Sequence, residues 1–354
     1  MVTLFILFDY VIIMDSIKVI KKLGSGVIGT TYLIEMNGEK YVDKIEKINK
    51  DDIYFDLSKN LWREIEFANK FASKYPNHFM QLKSFEIVKE CDHVQPNPPP
   101  FIQGKKRQDL INKNKSDYCS KLIYSPVLDG TLQSFYNKIN KKTNNKAFWS
   151  MFCQITYSIG LLIDNGYIHR DTHPGNIMFK KTNKKYIKLG NIMVNTHGMQ
   201  WFIIDYGLIM HKSYKLNNKD KVDEIVQLNN KHGDLITVIF GSLKMPIWDQ
   251  VDKHKLKIAT FKTLVKNIKA TPEYNNIKQY LPNINEKLTL ANCIAILFLV
   301  LYPKSYHECM GVDVDKYEKY IIHYTDDEKL AYVYIIKNIN KPNKIIKFIV
   351  KYHL

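Results

Sequence analysis

Residues 169–176 read His169-Arg170-Asp171-Thr172-His173-Pro174-Gly175-Asn176, and residues 205–207 read Asp205-Tyr206-Gly207. The order carries chemistry. Asp171 stands where an acid can accept a proton from an attacking hydroxyl. Asn176 follows on the same stretch, an amide suited to holding a metal. Asp205, further on and before a glycine, is placed as the acid that holds the metals bridging a nucleotide's phosphates.

The supporting pieces lie upstream in matching order. Leu23-Gly24-Ser25-Gly26-Val27-Ile28-Gly29 is followed by Thr30 and Thr31. Glycines let a backbone close over phosphates with no side chain in the way, although three of them alone are weak evidence because many turns are glycine-rich. Here Ile17–Leu23 and Thr30–Ile34 both read as strands. The glycines therefore join strand to strand, not strand to helix as in dinucleotide folds. Next, Tyr41-Val42-Asp43-Lys44 is a short strand. Alternation puts Val42 and Lys44 on one face and turns Asp43 away. Val42 is suited to capping a base and Lys44 to reaching phosphates, with a solvated lysine as the plain alternative. Then Leu61, Ile65, Ala68 and Phe71 form a helical stripe, and Glu64 sits beside it. Glu64 is positioned to pair with Lys44, with Glu66 as its rival and a solvated role as the plain alternative for both.

With these pieces in order, the chain resembles the protein-kinase superfamily, and within it the serine/threonine kinases encoded by giant DNA viruses. The likeness runs from about Ile17 to about Phe240. It implies an α+β, bilobal fold with a β-rich N-lobe and a mainly helical C-lobe. The domains it suggests are an apolar N-terminal extension over 1–16, an N-lobe over 17–128 with an insertion loop at 91–117, and a C-lobe over 129–354. By the same likeness Tyr124 is the gatekeeper, and the carbonyl of Ser125 and amide of Val127 face adenine. Asp171, Lys44, Glu64 and His173 become the catalytic set, Asn176 and Asp205 the metal ligands. ATP with Mg²⁺, or Mn²⁺ in its place, is the implied cofactor.

Composition agrees. A chain of 354 residues suits two lobes with real cores. Cys91, Cys119, Cys153, Cys293 and Cys309 show no close pairs and no metal-ligand spacing, which suggests buried apolar roles in a reducing compartment; the resemblance to viral kinases implies that this is a host's cytoplasm or a virion. The net charge of +17 suggests anionic partners, but the lysines are spread through the chain and no aromatic-rich nucleic-acid motif accompanies them. Among 52 Lys+Arg only Arg63, Arg107 and Arg170 are arginine, so lysine type alone singles out nothing. Met1–Met14 is too short to span a bilayer and lacks a signal peptide's basic start; an extra strand and a translation start at Met14 are both open. Leu288–Tyr302 is intensely apolar yet of a length for a buried helix, so no membrane span is expected. Phe148–Ile163 reads as an amphipathic helix stopped by Asn165-Gly166.

Several positions depart from the family pattern. His173 stands where serine/threonine kinases usually carry lysine, and His-Pro-Gly-Asn also resembles the aminoglycoside and choline kinases. Thr31 replaces the usual valine over adenine. Ile187–Val194 reads as an extra hairpin. After Asp205-Tyr206-Gly207 there is no Ala-Pro-Glu and no arginine to pair with it, so the peptide-binding region looks rebuilt. Asp234 reads equally as a buried acid bracing the catalytic loop or as an ordinary helix N-cap. Three functions compete: an ATP-dependent kinase acting on protein Ser/Thr, a small-molecule kinase, and a non-catalytic binding module on a kinase fold. The intact set of Lys44, Glu64, Asp171, Asn176 and Asp205 argues against the last.

Overall fold

The computed structural model describes residues 17–25, 29–89, 116–138, 145–214, 232–248, 261–283 and 287–354. The expected 1–16 extension, glycine-turn residues Gly26, Val27 and Ile28, and nearly all of the 91–117 insertion lie outside them. The chain is a mixed α+β protein, sheet-rich toward its N-terminus and helical toward its C-terminus. It divides into two compact units, Met1–Lys74 with Met80–Val127 and Tyr75–Phe79 with Leu128–Leu354.

The first unit is built on an antiparallel five-stranded sheet in the order β1-β2-β3-β5-β4. The strands are β1 (Lys18–Ser25), β2 (Gly29–Met36), β3 (Glu39–Lys47), β4 (Gln81–Lys89) and β5 (Tyr118–Ser125). Sequential antiparallel pairing builds the β1-β2-β3 meander, with Asn37 and Gly38 left-handed in the turn between β2 and β3. Helix α1 (Asn60–Lys70) buries Leu61, Ile65 and Ala68, the predicted stripe, and Phe71 just beyond it is buried as well. Trp62 adds an anchor: its ring meets Phe85 of β4 edge-on at 6.0 Å and its Nε1 donates to the Asp52 carbonyl at 2.9 Å.

The alternation expected along β3 holds, with one consequence that the sequence reading did not include. Asp43 does point to the opposite face from Lys44, yet it is 3 % exposed, and its Oδ1 has no hydrogen-bond partner among the described residues. Burial pushes its carboxyl up to about 6, against the pull of Lys121. The folded-state value therefore exceeds the unfolded one, so the native state loses stability as pH rises from about 4 through 6. Asp43→Asn should flatten that slope. Relative to the wild type, the variant should gain about 1–3 kcal/mol between pH 4.5 and 7.5, at 1.36 kcal/mol per pKa unit. Urea unfolding of both proteins at the two pH values measures it, and parallel pH profiles would rule the idea out.

The cysteine expectation fails at one position. Cys119, on β5, is disulfide-bonded, whereas Cys153, Cys293 and Cys309 are free thiols; Cys91 lies outside the described residues. Separation along the chain does not reveal which thiols a folded chain brings together. Of the free ones, Cys293 is buried, and burial pushes its thiol up to about 12.

In the second unit a three-stranded antiparallel sheet in the order β11-β8-β6 supports the loop of interest, with β6 (Gly130–Thr131), β8 (Ile177–Lys181) and β11 (Met199–Ile203). β9 (Tyr186–Leu189) and β10 (Ile192–Asn195) form the expected extra hairpin. Helix α2 (Leu132–Lys138) follows β6, and α3 (Asn145–Asp164) carries a nearly continuous buried run ended by Gly166 in the left-handed region. Helix α4 (Gly233–Trp248) carries Asp234 in its first turn. Helix α5 (Lys287–Leu301) buries every residue from Cys293 to Val300. Apolar on all sides, it must be covered all round by neighbours. Among the described residues no helix is long and apolar enough to cross a membrane.

Candidate functional site

Two sets of groups are described, one within each unit. In the first, Lys44 on β3 meets Glu64 on α1: Nζ donates to Oε1 at 3.0 Å and to Oε2 at 3.1 Å. The rival acid Glu66 pairs instead with Lys70, four residues on along the same helix. Two neighbours were not foreseen. The Tyr124 hydroxyl donates to Glu64 Oε1 at 2.8 Å, and Glu46 Oε1 lies 3.0 Å from Lys44 Nζ. Glu46 carries a signal in the sequence, since period two along β3 puts it on the face of Lys44. Tyr124 carries none, being 60 residues from Glu64. The register places Val42 opposite Tyr124 and Thr31 opposite Lys44, so these side chains share the sheet face of the lysine. Leu23, Gly24 and Ser25 end β1, and Gly29, Thr30 and Thr31 open β2, so the glycine-rich turn does join strand to strand. Ser125 closes β5, and Val127 follows it two residues on.

In the second unit the residues run through β7 (Tyr167–Ile168) into the loop 169–176 and out through β8. β8 pairs with β11, Ile177 opposite Ile203, and the Ile204 N–H donates to the Asn176 carbonyl at 3.0 Å. That pairing sets Asn176 and Asp205 at one end of the same two strands. The buried ring of His169 closes the arrangement: Nε2 donates to the Ile204 carbonyl at 3.0 Å, while Nδ1 accepts the Asp171 N–H at 3.3 Å.

Asp234 resolves in favour of the brace. It is 3 % exposed and accepts the backbone N–H groups of His169, at 2.7 Å, and Arg170, at 2.8 Å. The Thr172 hydroxyl donates to its carbonyl at 2.9 Å. Burial raises the Asp234 carboxyl, and His169 together with these hydrogen bonds pulls it back. Arg170 and Asp205 both lie in the left-handed region, φ 73° and 61°. Neither is glycine, and such backbone persists only where the surroundings over-determine it. Here the Asp234 clamp and the His169–Ile204 bond do so.

Asp171 is about one-third exposed; Asn176 Nδ2 donates to its carbonyl at 3.0 Å and to its Oδ2 at 2.9 Å. With its amide nitrogen committed there, Asn176 Oδ1 is the end left for a cation. His173 is half-exposed. Its Nδ1 accepts the Gly175 N–H at 3.0 Å, which leaves the ring proton on Nε2, 3.8 Å from Asp171 Oδ2. Gly175 lets the ring lie close: a Cβ there would stand 2.7 Å from His173 Cε1, so the imidazole would have to move. The histidine is thus seated on the loop and aimed at Asp171.

Among the described residues no group of three or more His, Cys, Asp or Glu side chains is placed to hold a metal. Asp205 and Asn176 offer one carboxylate and one amide oxygen. Both are hard donors that suit Mg²⁺, an ion that keeps waters and substrate phosphate oxygens in its shell. The segment after Asp205 returns to the loop: β12 (Met210–His211) pairs with β7, Met210 opposite Ile168. Of the hydroxyls beyond it, Tyr214 is buried and Ser213 Oγ lies 2.6 Å from His211 Nδ1. In comparison with known proteins, no family model matches this chain, and no curated protein matches it significantly.

Proposed function

We propose that this protein is an ATP-dependent phosphotransferase, a kinase acting on Ser/Thr hydroxyls of proteins. The observation that carries the reading is the Asp171 carboxylate held by Asn176, on a loop whose preceding N–H groups are clamped by buried Asp234. An acid so oriented and still partly exposed is suited to receiving a proton from a hydroxyl.

In the transfer, Asp171 orients the acceptor hydroxyl and takes its proton late. The acceptor oxygen bonds to the γ-phosphorus, the bond from that phosphorus to the β–γ bridging oxygen breaks, and ADP leaves with the electron pair. Lys44, fixed by Glu64, grips the α- and β-phosphates, and the glycine turn excludes water. Mg²⁺, which Asp205 and Asn176 would hold, neutralises phosphate charge when bound. Catalysis here is positioning and charge compensation.

A second acceptor class keeps support from two observations. No arginine follows Arg170 in the sequence, and His173 is turned toward Asp171. Both suit a kinase for small-molecule hydroxyls. One experiment tests both readings: incubation with γ-labelled ATP and Mg²⁺, offering generic proteins and small alcohols as competing acceptors. Label is expected on protein Ser/Thr. Label on the alcohols alone selects the second reading, and no transfer together with no nucleotide binding rejects both.

A further inference from the structure

Lys44 is shared between two carboxylates that are not equivalent. Glu64 is almost fully buried, takes two contacts from the ammonium, and receives a further hydrogen bond from Tyr124. Glu46 makes a single contact to Nζ, at 3.0 Å, and its side chain is the more exposed, 11 % against 2 %. Glu46 also meets the glycine turn. It is the register partner of Gly29, and a Cβ on Gly29 would fall 2.7 Å from Glu46 Cγ and 2.4 Å from the Ile45 carbonyl oxygen. The side chain of Glu46 therefore runs across the bare glycine to reach the lysine.

A glycine turn and a lysine are the two elements from which a chain makes a phosphate cradle. Glu46 touches one of each. We propose that in the nucleotide-free protein the Glu46 carboxylate holds the place on Lys44 that a phosphate oxygen of ATP takes, so nucleotide binding exchanges one anion for another on the same ammonium. This rests on the reading that Lys44 grips ATP's phosphates. Glu46 is the carboxylate that yields. Pulling Glu64 away would break two contacts to Lys44 and the Tyr124 bond, and would strand a buried charge. Glu46, itself only 8 % exposed, gives up a single contact. The closed form lowers apparent ATP affinity by the fraction of molecules in which Lys44 is already occupied. Tyr124 acts as a positioning residue, because its hydroxyl decides which carboxylate stays.

The test is equilibrium binding of a ribose-labelled fluorescent ATP analogue with Mg²⁺ to the full chain, in the wild type, Glu46→Gln, Lys44→Met and the double variant. Glu46→Gln keeps the size and removes the charge, and should bind about ten-fold more tightly. In the Lys44→Met background the same substitution should change affinity less than about two-fold, because the exchange requires the lysine. General repulsion between Glu46 and phosphate would persist without Lys44, so an equal gain in both backgrounds overturns the proposal. So does an unchanged or weaker Glu46→Gln when the wild type binds, and the nucleotide reading then survives. If neither wild type nor Glu46→Gln binds the analogue, that reading falls and the proposal with it. Thermal unfolding without nucleotide checks that each variant is folded, and Glu46→Ala serves the same comparison should the amide variant not be.

Discussion

Asp171→Asn should reduce phosphoryl transfer by about 10²–10⁴ in rate, the usual worth of a positioned general base, while leaving nucleotide affinity within a few-fold. The substitution preserves shape. The loop should also survive it, because the clamp from Asp234 acts on the backbone of His169 and Arg170, not on the Asp171 side chain. What is lost is the capacity to take the acceptor's proton as the new bond forms. The loss should therefore fall on kcat and kcat/KM alike, as for an interaction made only in the transition state. Steady-state kinetics with varied ATP, beside direct nucleotide binding, separates the two quantities. A variant that turns over at the wild-type rate would remove Asp171 from the mechanism.

Asp234→Ala should damage both stability and rate. It orphans two backbone donors, one buried and one part-buried, and each unsatisfied group costs about 1–3 kcal/mol, so a loss of about 2–6 kcal/mol is expected. At a few degrees of Tm per kcal/mol for a unit of this size, thermal unfolding should fall by about 5–15 °C. The rate should drop as well at temperatures where the variant is folded, because Arg170 is kept in the left-handed region by the bond that disappears. Asp234→Asn keeps one acceptor oxygen and should lie between wild type and alanine in both measurements. Unchanged melting and unchanged rate in the alanine variant would refute the brace.

Local pattern made part of this arrangement readable in the sequence. A period of two along β3 put Lys44 on a defined face, and a helical stripe in α1 put Glu64 beside a core-facing edge. Pattern left Glu64 and Glu66 both open as the partner of Lys44, the resemblance favoured Glu64, and that pair is present at 3.0 Å. The helix of α5 and its burial were equally readable, because a segment apolar on every side has one way to fold in water. What was not readable depends on contacts that only the finished fold supplies. Tyr124 gives no sign that its hydroxyl ends on Glu64. Asp234 has the same local sequence whether it caps a helix or braces a loop, and the bond to His169, 65 residues away, decides between them. Asp43 reads as a residue facing away from Lys44, and alternation cannot say that the other face is buried too.

The β7–β12 pairing has a mechanical consequence. Tyr167 and Ile168 lead directly into His169, and their partners Met210 and His211 lie just past Gly207. A second tie runs from the Lys212 N–H to the Gly166 carbonyl at 3.2 Å. The stretch that follows Asp205 is thus stitched to the stretch that precedes Asp171. A pull on one end of this seam is delivered to the other within two residues. Arg170, already held in the left-handed region, stands two residues beyond this seam.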